Sequence, residues 1–246
     1  MTSRPLNILA FDTCFGACSV AVGRDVGGPS QALEAFFEPR DIGHAEALMP
    51  MIRQAMRAAR LGFKDIERIG VTYGPGTFTG TRIGISAARA LHLATGVPLA
   101  GASSLAVMAE DAIDMLGVDA ATGERPANAP PMLIAVDARR GQVYTQLFRR
   151  SGLDPLTLPQ VMPIADAAIL GGDGPLVIAG SGADAVAAAA RAHGRQVTTG
   201  LPRLQPDASS LVDLVAAMPL QSGPLTPLYL READAKPGAD MSIARH

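Results

Sequence analysis

The sequence predicts an α/β protein of two similar lobes that arose by internal duplication, and three observations carry that expectation. The first is a repeated unit. Ile8 to Val22 reads as an apolar strand, an aspartate, a four-residue turn closed by glycine, and a second alternating strand; Leu133 to Leu147 reads the same way. Asp12 then aligns with Asp137 and Gly16 with Gly141, at one common separation close to half the chain. Two hairpin units at matched spacing signal duplication. The second observation is size: 246 residues, 48% of them hydrophobic, suffice for two lobes, each of roughly 100–130 residues. The third is the Gly180-Ser-Gly182 turn, which joins an apolar strand from Leu176 to an alanine-rich helix ending at Ala192. On this reading the first lobe spans residues 1–105, the second 106–231, and 232–246 form a flexible tail.

Taken in order, the stretch Leu6–Phe11 is a strand closed by Asp12. A helix is expected from Gly43 to Arg60, because Ala45, Leu48, Met49, Ile52, Met56 and Ala59 recur at helical spacing. Pro50 lies too deep to be a first-turn proline, so a kink or a weakened first turn is expected there. Ile66 to Tyr73 reads as a strand, and Gly74-Pro-Gly-Thr-Phe-Thr-Gly-Thr-Arg82 leads from it into a second helix. Gly96 caps that helix and Pro98 stops it. Its mixture of Gly84, Ala87, Ala88 and Ala94 with Ile83, Ile85, Leu91 and Leu93 is apolar on more than one face. Small residues let another helix approach closely, so an exposed docking face and self-association are expected. Gly117 to Pro131 has loop composition; a strand near Val197, a helix from Ser209 to Ala217 and the segment Leu228–Arg231 complete the chain.

Several function classes are disfavoured. A net charge of -2 gives no general nucleic-acid footprint. Any phosphate contact is local: Arg53, Arg57 and Arg60, or the pairs Arg139–Arg140 and Arg149–Arg150, unless these are plain solvated surface. No apolar run reaches the span of about 18 residues that a membrane helix needs, and Leu6–Phe11 is too short for a signal core, so a cytoplasmic protein with no membrane partner is expected. Cys14 and Cys18 stand alone and should pack as small hydrophobes. The Gly74–Arg82 loop fails as a phosphate-binding P-loop, since its outer glycines enclose five residues and no lysine follows. It reads as a rigid strand-to-helix turn with close backbone packing. His44 opens the first helix, but Leu48 stands four positions on, so no imidazole pair faces a metal. His92, His193 and His246 are isolated, and neither a catalytic residue nor a metal site is assigned.

A strand that ends in aspartate before a tight turn is a construction that holds metal-bound phosphate. Two such hairpins, with a glycine turn like the adenine-side turn of the actin and sugar-kinase superfamily, outline an interlobe cleft. Its candidate residues are Asp12, Thr13, Gly16, Asp137, Arg139, Gly141, Gly180 and Gly182. No cofactor is fixed by the sequence; ATP or ADP with magnesium is what this layout accommodates.

Four segments occur in order: His44-Ala-Glu-Ala-Leu-Met-Pro50, Gly74–Arg82, Ile134-Ala-Val-Asp-Ala-Arg139 and Leu228-Tyr-Leu-Arg231. Together they resemble the bacterial TsaB (YeaZ) family, over residues from about Leu6 to Arg231, with Gly74–Arg82 the most specific part. Met115 to Pro131 and Pro155 to Asp173 carry nothing diagnostic. The resemblance implies two ribonuclease-H-like lobes of the actin/sugar-kinase/Hsp70 (ASKHA) type. It also implies a non-catalytic subunit that acts with its catalytic paralogue TsaD and the ATPase TsaE. Together these move threonylcarbamoyl from its adenylate to the adenosine beside the anticodon of ANN-decoding tRNAs, forming threonylcarbamoyladenosine (t6A). The paralogue holds metal through an HxxxH pair, and this chain has Leu48 in place of the second imidazole. The family's helical partner surface maps here to His44, Leu48, Met49, Ile52 and Met56 on the first helix, and Ile83, Gly84, Ala87, Ala88 and Leu91 on the second. The resemblance thus implies a heterodimer with TsaD, a homodimer when alone, and contact with tRNA through the complex. Two rival readings are a nucleotide-dependent phosphotransferase using Asp12 and Asp137 around magnesium, and a metal-dependent glycoprotease-like protein.

Overall fold

A computed structural model of the protein describes residues 4–116, 129–149, 154–220 and 223–231. The chain opens with three antiparallel strands, β1 (Leu6–Asp12), β2 (Ala17–Val26) and β3 (Ala32–Pro39). Helix α1 (His44–Ala58) returns it to β4 (Arg68–Thr72), and α2 (Phe78–Thr95) to β5 (Leu99–Ala102). The sheet order is β3-β2-β1-β4-β5, with β4 parallel to β1 and β5 parallel to β4. β1 is central, and Ile8 to Asp12 are all buried, as a strand covered on both faces requires. α3 (Ser104–Leu116) leads out of this lobe.

The second half repeats the plan. β6 (Met132–Asp137), β7 (Gln142–Phe148) and β8 (Gln160–Pro163) are antiparallel, and α4 (Ile164–Ile169), β9 (Leu176–Ala179), α5 (Ala183–Ala192) and β10 (Val197–Gly200) follow. The order β8-β7-β6-β9-β10 is that of the first sheet, strand for strand. α6 (Ala208–Ala217) is the last element among the described residues. The expected duplication is therefore present as topology, and the ribonuclease-H-like lobe occurs twice. The two hairpins differ by one residue in register: Asp12 pairs with Ser19, whereas Asp137 pairs with Val143.

Helix boundaries follow local chemistry. Thr77 caps α2, its hydroxyl accepting from Gly80 N, and Gly96 ends it in the left-handed conformation at φ 73°. α1 runs on through Pro50, so the kink or weakened turn expected there is not realised as an interruption. Packing of Leu48, Met51, Ile52 and Ala55 into the lobe outweighs one missing backbone donor. The expected loop at 117–131 falls mostly, and the tail at 232–246 wholly, outside the described residues.

The division into chain halves is corrected by the packing. Residue 105 lies inside α3, and α3 covers the second sheet: Leu105, Met108, Ala112 and Ile113 pack with Ile134, Phe148 and Val177. α6, from the second half, covers the back of the first sheet, where Leu211, Val212 and Val215 meet Ile8, Ala10 and Ala21. The other faces are covered locally, by α1 and α2 in the first lobe and by α4 and α5 in the second. Each lobe's third helix has crossed to the other lobe. The repeat of strands marks the duplication, but hydrophobic periodicity does not say which sheet a helix covers.

Leu211 is fully buried, and its truncation to alanine should cost about 3 kcal/mol in urea unfolding. Native-state hydrogen exchange should then show protection lost in β1 and β2, in the first lobe, ahead of β6 and β9. Loss confined to the second lobe's sheet would refute the crossed assignment.

Candidate functional site

The end of β1 lies beneath the Gly74–Thr81 turn. Thr77 N donates to Cys14 O at 2.7 Å, Thr13 Oγ1 to Gly80 O at 2.7 Å, and the Gly74–Pro75 peptide is cis. A Cβ on Gly76 would sit 2.5 Å from Cys14 O, and one on Gly80 would collide with Thr13 O. Both glycines are thus fixed by backbone-on-backbone contact, as expected of a closely packed turn. Asp12 and Thr13 are sealed beneath it. The Asp12 carboxylate accepts from Thr72 Oγ1 and, at 3.2 Å, from Cys14 N. Burial outweighs these two bonds and raises its pKa to about 6. Burial, with Asp12 close by, also pushes the Cys14 thiol well up; both Cys14 and Cys18 are buried free thiols.

Asp137, the repeat partner, is exposed. The cause is loop length. β4 and α2 are joined by 73–77, whereas β9 and α5 are joined by 180–182 alone. The shorter turn folds back on its own lobe. Gly182 N donates to Ala135 O at 2.9 Å, and Cβ atoms on Gly180 or Gly182 would strike Ala135 or Val143. Ser181 Oγ accepts from Asp137 N, and Asp137 Oδ1 from Arg139 N at 2.8 Å.

Between the lobes is a cavity of about 390 Å³. Its walls are Phe15 and Tyr144, 6.2 Å apart between ring centres, the turn from Pro75 to Phe78, residues 137–139 and residues 228–231. Of the eight cleft candidates, only Asp137 and Arg139 line it. Asp12 and Thr13 are sealed off, Gly180 and Gly182 are buried, Gly141 is an exposed turn residue at φ 71°, and Gly16 N is turned to Gln205 Oε1. The cleft set is thus not gathered around one cavity, because the longer first-lobe turn occupies the space above Asp12.

A second depression, about 470 Å³, lies between α1 and α2. Ala45, Met49, Phe78, Arg82, Ile83 and Ala87 line it. Met49 and Phe78 are exposed, Ile83 and Ala87 half-buried, and the floor is Leu48. This corrects the surface assigned from the sequence. Leu48, Ile52, Met56 and Ala88 are core residues of the lobe, Gly84 is buried, and half-buried Leu91 packs against that core away from the groove. His44 is 7% exposed, its Nε2 3.0 Å from Phe15 O, which ties α1 to the β1–β2 turn. Periodicity identified an apolar stripe, and the stripe is the side facing the sheet; only its edge reaches the groove.

Three residues not assigned from sequence join groove to cleft. Arg82 lies 4.4 Å over the Phe78 ring, and Phe78 stacks on Tyr229 at 5.1 Å. Tyr229 belongs to a C-terminal strap: Arg89 donates to Leu225 O, Leu228 N to Tyr73 O, and Arg231 to Ala138 O of the second lobe. The available signal was aromatic scarcity, with seven phenylalanines and three tyrosines in the chain, two of them exposed here as a stacked pair. Among the described residues, no group of three or more His, Cys, Asp or Glu side chains is placed to hold a metal. No described helix is long and apolar enough to cross a membrane.

Two lobes of one topology, with a cleft between them, define a protein of the actin-like, ASKHA type. The family model described as TsaD, tRNA N6-adenosine threonylcarbamoyltransferase, matches residues 40–204. The chain is 35% identical to the tRNA threonylcarbamoyladenosine biosynthesis protein TsaB of Escherichia coli K12, over 59% of this chain and 56% of that one. It is 34% identical to an uncharacterized protein of Mycobacterium tuberculosis, over 79% and 78%. The solved structure of YeaZ from Pseudomonas aeruginosa aligns over 92% of this chain and all of its own, with TM-score 0.72 and 25% identity. The chain belongs to the TsaB (YeaZ) family. Its matches span 56% and 61% of the lengths of the first two TsaB relatives, from E. coli and Buchnera aphidicola.

Folded Asp12 keeps its proton up to about pH 6, and the unfolded carboxyl only to its ordinary value of 3.8. Between these values the folded chain binds more protons, so the stability present below pH 3.8 is lost as pH rises through 6. Asp12→Asn can offer its oxygen to Cys14 N and its NH₂ to Thr72. It should match wild type near pH 4 and exceed it by about 3 kcal/mol at pH 7. Urea titrations at the two pH values measure this; a constant difference would show that Asp12 ionises without penalty.

Proposed function

We propose that this chain is the non-catalytic partner subunit in formation of t6A on tRNA, docking through the α1–α2 groove onto its catalytic paralogue TsaD, with TsaE as the further component. The transferred group is threonylcarbamoyl, from its adenylate, and the acceptor is the adenosine beside the anticodon. Family membership supports the pathway. The groove supports the docking role: apolar side chains of Met49, Phe78, Ile83 and Ala87 meet solvent along one seam, and such a seam is covered in an assembled protein. The sealing of Asp12 weighs against the phosphotransferase reading, which needs that carboxylate beside magnesium. Partner contacts that differ between two arrangements of TsaD are sufficient to bias it, without an acid or base from this chain. The same groove serves self-association when TsaD is absent.

Light scattering with size exclusion, on the chain alone and mixed with the TsaD of its own source, tests this. A homodimer that converts to a stoichiometric heterocomplex is expected. Met49→Glu and Ala87→Glu should weaken the heterocomplex by about a hundredfold or more and leave the melting temperature near wild type. Leu48→Glu should unfold the lobe, since Leu48 is 1% exposed. If Met49→Glu and Ala87→Glu chains associate like wild type, the groove is not the docking face.

A further inference from the structure

At its other end α1 carries a different surface. Arg53 and Arg57 are exposed, one turn apart, about 6 Å along the axis and on one side of the helix. Arg60 follows just past the helix end, and exposed Arg24 of β2 shares a hollow of about 230 Å³ with it. None of these four guanidinium groups has an ion pair or hydrogen bond among the described residues. Glu34 lines the hollow unpaired, and the acid on α1 itself, Glu46, lies in its first turn. In a chain of net charge -2, this face sets four guanidinium groups against one carboxylate and is locally positive.

Arg60 adds an independent observation. It sits at φ 56°, where its own N–H bonds Arg57 O and the next residue's N–H bonds Met56 O. Helices end in this left-handed conformation on glycine, because a Cβ is disfavoured there. The chain nevertheless ends the helix on an arginine where glycine would be less strained, a backbone region that Asp25, Arg139, Arg140 and Leu201 also occupy.

We propose that Arg53, Arg57, Arg60 and Arg24 form a contact surface for the phosphate backbone of RNA. The inference rests on the function proposed above, which makes tRNA that ligand. Planar, unpaired guanidinium groups suit phosphate oxygens, and the residues exposed among them, Pro50, Gln54 and Ala58, supply no large apolar anchor for a protein interface. The apolar groove takes the N-terminal half of α1: Arg53, four residues past Met49 on the same side, borders it, whereas Arg57, Arg60 and Arg24 lie beyond its lining and stay open to a ligand when a partner is seated there.

The test titrates an unmodified transcript of an ANN-decoding tRNA by fluorescence anisotropy across a KCl series, with the TsaD complex and, in parallel, with the chain alone. Arg53→Ala/Arg57→Ala should lower affinity at least tenfold at low salt. It should also reduce the slope of log K against log salt by about 1.4 to 1.8, the release expected for two lost phosphate contacts. Arg203→Ala, an exposed arginine elsewhere, should change neither. Unchanged affinity and slope in the double variant, or an equal fall in Arg203→Ala, overturns the inference. So does loss of TsaD binding by the double variant, which would assign the face to protein. If wild type forms no complex, the docking reading fails, and the titration of the chain alone still decides this one.

Discussion

The exchange of α3 and α6 between lobes is the constraint on which the rest of the molecule depends. Each sheet has one face covered by helices from its own repeat and the other by a helix from elsewhere in the chain. Removing either crossed helix exposes a whole apolar sheet face, so neither lobe has a complete core of its own. The exchange also closes the cleft at its base. Cys14 and Phe15, in the first hairpin's turn, share a cluster with Met108 of α3 and Ile134 and Val136 of β6. The cleft floor is therefore continuous hydrophobic core, and the strap, through Arg231, ties its mouth.

Within that frame the two repeats have diverged through loop length. The longer connection after β4 lies on the β1 turn and converts a construction suited to phosphate into packed backbone, with Gly76 and Gly80 chosen for contact. Asp12 becomes a buried acid whose ionisation opposes folding at neutral pH. The short connection after β9 leaves Asp137 in solvent, bonded to its own turn. Equal sequence signatures thus produce unequal chemistry.

The repeat and the end of α2 were legible because each rests on local rules, apolar alternation up to Asp12 and Asp137 and a glycine stop at Gly96; β3, β5, α3, β8 and α4 were not assigned from the sequence. The crossing of α3 and α6 was not legible, since an amphipathic helix carries no label for the sheet it covers. The α1–α2 groove was half legible. Leu48, Ile52 and Ala88 looked like interface residues because a helix between sheet and solvent has one apolar stripe, and that stripe belongs to the core first. What reaches the surface is the margin of the stripe, Met49, Ile83 and Ala87, and this depends on how closely α1 and α2 approach.

Phe78 joins these levels. It is the first residue of α2, a wall of the groove and a wall of the cleft, with Arg82 over one contact and Tyr229 on the other. Its place follows from the turn that seals Asp12, because the close seating of Gly76 and Gly80 on β1 sets where α2 begins. Anything that fills the groove touches the ring that the strap stacks on, and the strap reaches the second lobe through Arg231. The surface available for docking and the closure of the two lobes are therefore one piece of structure, built from a loop whose length distinguishes the two repeats.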